Sequence, residues 1–181
     1  MFYFSLQEQL RILEHTLFRF SFWKQMANYL PSCFLIYLSV IMDWNKLDQD
    51  LTVIVEKRIA LSKISYADPK YDEIEEELHD LEDDLNDEFG DRLENELEKI
   101  YAKLSSDNDV LLPSAYLANN YIPLLPDANG VVSYEVKGQE GVPIESEQFD
   151  RQDVRIILIP NPARFVMHIN GVSLKDLWRS R

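Results

Sequence analysis

The sequence predicts an α+β fold, in which a long acidic helical hairpin is followed by a small antiparallel β module. Two observations support this prediction. Apolar residues recur every three or four positions from residue 74 to residue 104, which is the period of one face of a helix. After Ser105, prolines and glycines accumulate, and short alternations of apolar and polar residues replace the helical period. We therefore expect a helical hairpin over 42–105.

The hairpin is expected to contain one helix over residues 43–64 and a longer one over 70–104. Asp68 and Pro69 are expected to start the longer helix, with Asp68 as the N-cap and Pro69 in the first helical position. The apolar stripe of this helix is continuous over its whole length. It consists of Ile74, Leu78, Leu81, Leu85, Phe89, Leu93, Leu97, Ile100 and Leu104.

The remaining chain divides into a proline-containing connector over 106–130 and the β module over 131–181. Alternating residues predict strands over 132–136 and 165–169, and an apolar run predicts a better-buried strand over 154–159. The pair Asn170-Gly171 is a turn signal. We expect the last segment, residues 173–178, to form a short closing helix.

The acidic charge is concentrated in one part of the chain. There are 32 acidic and 18 basic residues, which gives a net charge of −14, and residues 68–98 account for all of it. This balance disfavours binding to a phosphate backbone, so a nucleic-acid partner is not expected.

Four acidic residues of the longer helix are expected to point away from its apolar stripe: Glu76, Asp83, Asp87 and Asp91. One interpretation is a solvated face that keeps the protein soluble. The other is a docking surface for a basic partner, which would relieve the repulsion between like charges three and four residues apart. Both interpretations remain open.

The N-terminal segment, residues 1–41, differs from the rest because it holds 10 of the 21 aromatic residues. It either forms an amphipathic helix or is a mis-assigned start, with Met42 as the true initiator. The helical interpretation depends on a heptad-like pattern. That pattern consists of Leu6, Leu10, Leu13, Leu17 and Phe20.

The only stretch considered as a membrane anchor is residues 25–42, none of which is charged. The apolar centre of this stretch is shorter than the roughly 20 residues that a spanning helix needs.

The chain has one cysteine, Cys33, so an intramolecular disulfide is impossible. We expect a cytoplasmic protein for which membrane contact is unlikely.

No catalytic, cofactor or metal site is predicted. Glu76 and His79 form a Glu-x-x-His fragment of the kind used in di-iron bundles, but the second copy that such a site requires is absent. His168 lies near Asp150 and Asp153 along the chain, so an acid–base site on the β module can be imagined. No motif supplies a nucleophile for it.

The sequence therefore predicts a non-enzymatic protein-interaction or assembly protein, for which the acidic helix face is a candidate docking surface for a basic partner. The longer helix outruns the first, so its remaining stripe is expected to be covered by a helix over residues 5–29, by the β module or by the same hairpin of a second copy. A dimeric bundle needs the fewest assumptions, so we expect a homo-oligomer or a protein partner. Two alternatives stay open. One is a membrane-tethered adaptor using residues 25–42, and the other is an enzyme with its site on the C-terminal β module.

Overall fold

The computed structural model describes residues 43–180. Within this range the chain forms two α-helices followed by six short strands, which confirms the predicted α+β fold. Residues 1–42 lie outside the described residues, and so do the two interpretations of 1–41 and the whole of the proposed anchor over 25–42. Asp43–Arg181 is one compact unit.

The hairpin consists of helix α1 (Trp44–Leu61) and helix α2 (Tyr71–Leu104). The Asp43 carboxylate caps α1 by accepting hydrogen bonds from the backbone N–H groups of Asn45 and Lys46, at 3.0 and 3.1 Å. Both helices agree with the predicted ones apart from their ends, because an apolar stripe specifies a helix better than it specifies the terminal turns.

The start of α2 differs from the prediction. Asp68 and Pro69 form a turn ahead of the helix instead of its first residues. The Asp68 carboxylate accepts from the backbone N–H of Lys70 at 2.9 Å, and its carbonyl accepts from that of Tyr71 at 2.9 Å. The helix therefore begins at Tyr71.

The β module contains a two-stranded ribbon and a four-stranded antiparallel sheet. The ribbon pairs β1 (Tyr121–Pro123) with β2 (Tyr134–Val136). In the sheet, each strand pairs with the next one along the chain. The strands of the sheet are β3 (Val142–Ile144), β4 (Val154–Ile159), β5 (Arg164–Ile169) and β6 (Val172–Arg179).

The predicted closing helix over residues 173–178 is wrong, because these residues belong to strand β6. Asn170 and Gly171 have positive φ angles of 52° and 78°, which is the backbone of a tight hairpin turn. The turn brings the segment back against β5, where Trp178 packs its ring on Phe165 at 5.5 Å between centroids. Pairing along the sheet edge thus overrides a weak local helical pattern.

The four-stranded sheet is covered on both faces. A 3-10 turn (Pro113–Tyr116) packs between α2 and β4, and the Tyr116 ring contacts Phe165 at 5.8 Å between centroids. The ribbon helps to cover the other face, in a core that also includes Val55 of α1. This core consists of Val55, Ala118, Tyr121, Tyr134, Val136, Ile157, Ile159 and Val166.

A buried carboxylate joins α1 to the turn between β4 and β5. Asp48 is 4% exposed, and its Oδ1 accepts from the backbone N–H of Ala163 at 2.5 Å and of Asn161 at 3.4 Å. The Asn161 amide in turn donates to Thr52 Oγ1 at 3.1 Å and to the Val132 carbonyl at 2.9 Å. The Asp48 carboxylate thus satisfies backbone N–H groups of the turn that are not paired with a neighbouring strand.

Candidate docking surface

The four predicted acidic residues all lie on α2 and all are exposed. They are Glu76, Asp83, Asp87 and Asp91, which we call the acidic face. His79 lies 3.9 Å from the Asp83 carboxylate, but both side chains are well exposed and that contact is ionic only when the histidine is protonated. The other three carboxylates have no ion-pair partner among residues 43–180. The acidic face therefore keeps its negative charge.

The side of α2 that meets α1 is different, because cations of α1 neutralise its carboxylates. In the Lys46–Glu88 pair, Nζ lies 2.5 Å from the carboxylate oxygen. These bonds connect the two helices, and none of them involves a residue of the acidic face. The three interhelical pairs are Lys46–Glu88, Lys57–Glu77 and Arg58–Glu82.

The Arg58–Glu82 pair is the most buried of the three. The guanidinium donates through Nε and Nη2 to one oxygen of Glu82, at 3.0 and 2.7 Å. Its Nη1 donates to the Ala118 carbonyl at 3.0 Å and to Asn119 Oδ1 at 3.3 Å. We call this group the arginine bridge, since it fixes α1, α2 and the segment before β1 in one arrangement.

A cleft of about 680 Å³ opens on one side of the arginine bridge. Four carboxylates line it, and its single guanidinium is already bound to one of them, so the cleft carries excess negative charge. We call it the acidic cleft, and it extends the acidic face at Glu76. Its lining includes Asp72, Glu75, Glu76 and Glu82 together with Arg58, Leu61, Tyr71, Leu78, His79 and Asn119.

The Glu-x-x-His fragment lies in this cleft, since Glu76 and His79 both line it. Both side chains are exposed. Across residues 43–180, no group of three or more histidine, cysteine or carboxylate side chains is arranged to hold a metal ion.

His168 does not form the acid–base site that the enzymatic alternative needs. It is 1% exposed in the middle of β5, between Arg155 of β4 and Ser173 of β6, so a substrate does not reach its ring. Neither ring nitrogen makes a hydrogen bond of standard geometry within residues 43–180, although the Gly138 backbone interacts with the ring. Burial lowers the pKa of His168, although the Gly138 backbone and Glu135 oppose this shift.

The carboxylates considered with His168 are engaged elsewhere. Asp153 accepts from Arg155 Nε through both oxygens at 3.0 Å. Asp150 is exposed beside Arg151, at 3.5 Å. Neither is a hydrogen-bond partner of the histidine, so the described geometry does not assemble these three residues into one site.

Neither of the two helices described between residues 43 and 180 is long and apolar enough to cross a membrane. The helical period of the sequence predicts the acidic face, but it does not predict the arginine bridge or the acidic cleft, because both depend on residues that are far apart along the chain. Comparison with protein-family models, with curated proteins and with solved structures finds no significant match to this chain.

Proposed function

We propose that this chain is a non-enzymatic interaction or assembly protein that binds a basic partner protein on its acidic face. The observation that carries the proposal is the uncompensated charge of that face. Glu76, Asp87 and Asp91 are exposed and have no ion-pair partner among the described residues, while α1 neutralises the adjacent side of the same helix.

The energetics favour a basic partner. Asp83, Asp87 and Asp91 are spaced by four residues, and each such like-charge pair destabilises a helix by roughly 0.2–0.5 kcal/mol. A cationic surface relieves this repulsion and is attracted over a distance of about 8 Å at physiological salt. Such a field speeds up association with a basic protein and makes the rate dependent on salt.

The fold also supports a rigid docking surface. Helix α2 spans 34 residues, which corresponds to roughly 50 Å. Its apolar stripe is buried from Leu85 to Leu104, so packing fixes the part of the helix that carries Asp87 and Asp91. A partner therefore meets a surface that does not need to be ordered on binding.

A different protein is a better partner than a second copy of the chain. A second copy is a candidate to cover the part of the α2 stripe that extends beyond α1, but that stripe is largely buried within one copy. A net charge of −14 also opposes the approach of two acidic faces. We further propose a cytoplasmic location, which the single cysteine supports.

The proposal is tested with the full chain and a fluorescent oligolysine peptide as the probe, with binding followed by anisotropy at low and at physiological salt. The test variant carries E76Q, D83N, D87N and D91N. We expect it to bind the peptide at least about tenfold more weakly than the wild type, because it lacks the charges that attract the peptide.

The control variant loses the same charge elsewhere, through D107N, D109N, E145Q and E147Q, which are also exposed carboxylates. We expect this variant to bind nearly as well as the wild type. If both variants lose affinity equally, net charge alone explains the binding and the acidic face is only a solvated surface. The solution mass of the wild type shows independently whether the chain also self-associates.

A further inference from the structure

Two leucines remain exposed on the other side of the arginine bridge from the acidic cleft. Leu111 is 46% exposed and Leu112 is 56% exposed, and both line a second cleft of about 670 Å³ with Ala115. We call these three residues the leucine shelf. Exposed leucines that line a cleft are more informative than exposed leucines elsewhere, because grouped apolar surface in a cleft is typical of a binding site.

Hydrogen bonds to α2 and to Tyr116 fix the segment that carries the leucine shelf. Asn86 of α2 donates to Ser114 Oγ at 2.8 Å and accepts from the Ser114 backbone N–H at 3.1 Å. The buried Tyr116 hydroxyl accepts from the Leu111 backbone N–H at 3.2 Å and is hydrogen-bonded to the Tyr101 hydroxyl at 2.8 Å. The leucines are therefore exposed on an ordered segment, so their exposure does not come from a loosely packed loop.

The leucine shelf and the acidic cleft are continuous. Arg58, Glu82 and Asn119 line both, so the arginine bridge is the floor at which the two meet. Glu140 fixes Asn119 and Asn120, which line the acidic cleft. Its carboxylate accepts hydrogen bonds from the Asn119 backbone N–H at 3.0 Å and from the Asn120 amide at 2.9 Å. One groove thus has an acidic end and an apolar end at a fixed separation.

We infer that this groove binds a peptide segment of a partner protein, with lysine or arginine side chains in the acidic cleft and an apolar side chain on the leucine shelf. The inference rests on the proposed function and makes the partner more specific. Charge complementarity selects a basic segment for the acidic end, where four carboxylates face one guanidinium that is already bound. The exposed leucines select an apolar residue next to the basic ones.

The test compares three labelled peptides on the full chain. The first carries four lysines and two leucines, with short glycine-serine linkers of several lengths between them. In the second the leucines are replaced by serines, and in the third the lysines are replaced by glutamines. For the best linker, we expect the first peptide to bind about tenfold more tightly than the second, because burying apolar surface adds to the charge attraction.

Matched variants localise the effect. L111S combined with L112S should reduce the preference for leucine over serine to nearly nothing. L124S combined with L125S, at two other exposed leucines, should leave the preference unchanged; Leu125 is 92% exposed in the loop after β1. Thermal melting confirms that both variants remain folded, as expected for substitutions of exposed side chains.

The outcomes separate this inference from the proposed function. If the first two peptides bind equally, or if L111S with L112S keeps the preference, the groove is not the binding site although the acidic face still attracts cations. If the third peptide binds as well as the first, the surface is simply apolar and the inference is wrong. If no lysine peptide binds, the proposed function fails, and the inference fails with it.

Discussion

The two halves of helix α2 follow the same apolar period but are covered differently. In the first half, residues 71–84, only Leu78 of the stripe is buried. In the second half, all stripe residues from Leu85 to Leu104 are buried, and so are Gly90 and Tyr101. The first half lines the acidic cleft, whereas the second half packs against the rest of the compact unit.

The difference shows that a helical period predicts which face of a helix is covered, but not how deeply. The second half is buried because the β module folds back onto its end. Ser146 Oγ donates to the Leu104 carbonyl at 2.5 Å and the Gln148 amide donates to the Lys103 carbonyl at 2.8 Å, which satisfies carbonyls that the helix leaves unpaired. Among the described residues, the first half packs against α1 and is connected through Arg58 to the segment before β1, so more of its surface stays available for binding.

The largest expected effect comes from removing a stripe side chain in the covered half. L97A should lower the free energy of unfolding by about 2–5 kcal/mol, because Leu97 is fully buried and leaves a cavity. L81A, at a half-buried position of the other half, should cost about 1 kcal/mol. Urea denaturation of both variants measures the difference, and equal losses would contradict the contrast between the two halves.

The next effect concerns the attachment of the β module to α1. D48A removes the acceptor of the Ala163 and Asn161 backbone N–H groups, so we expect a loss of about 1–3 kcal/mol. D48N keeps an oxygen at the same place and should lose less. If D48A and D48N are equally stable, these hydrogen bonds do not hold the module.

The pH dependence of the β module gives a further test. Burial lowers the pKa of His168 in the folded state, so the unfolded state binds the proton more readily as the pH falls below about 6.5. Stability from this residue is therefore present above that pH and decreases as the pH falls through the pKa of the folded state. The groups facing the ring are Arg155, Ser173, Glu135 and Gly138.

The variant His168→Leu should lose stability more slowly than the wild type between neutral and mildly acidic pH, as followed by urea denaturation. Carboxylates titrate in both proteins, so the comparison isolates the histidine. Parallel pH profiles would show that the buried ring does not resist protonation.

The smallest effect is expected at an exposed ion pair between the two helices. Lys46 pairs with Glu88 and lies 5.3 Å from the centroid of the Phe89 ring, but its side chain is largely exposed. K46M should therefore change the free energy of unfolding by less than about 1 kcal/mol. Urea denaturation at low and high salt checks this, and a loss as large as that of L97A would show that ion pairs, not burial, hold the hairpin.

Several elements were predictable because their signals are local. The stripe of α2 specified a helix of nearly the observed length, and the apolar run over residues 154–159 specified β4. The exposure of the acidic face also followed from the helical period. Strands β1 and β3 were not predictable, since each has three residues and contains a proline, which is too short for an alternation to be recognised.

The sequence by itself determined which residues form α2, which of its faces is apolar and where the negative charge is concentrated. Only the tertiary structure decided that residues 172–179 join the sheet, that Arg58 meets residues 117–119, and that Asp48 reaches a turn 115 residues away. The physical reason is the range of the interactions. A helical period repeats along neighbouring residues and is visible in the chain, whereas a bridge or a groove arises from side chains that only packing brings together.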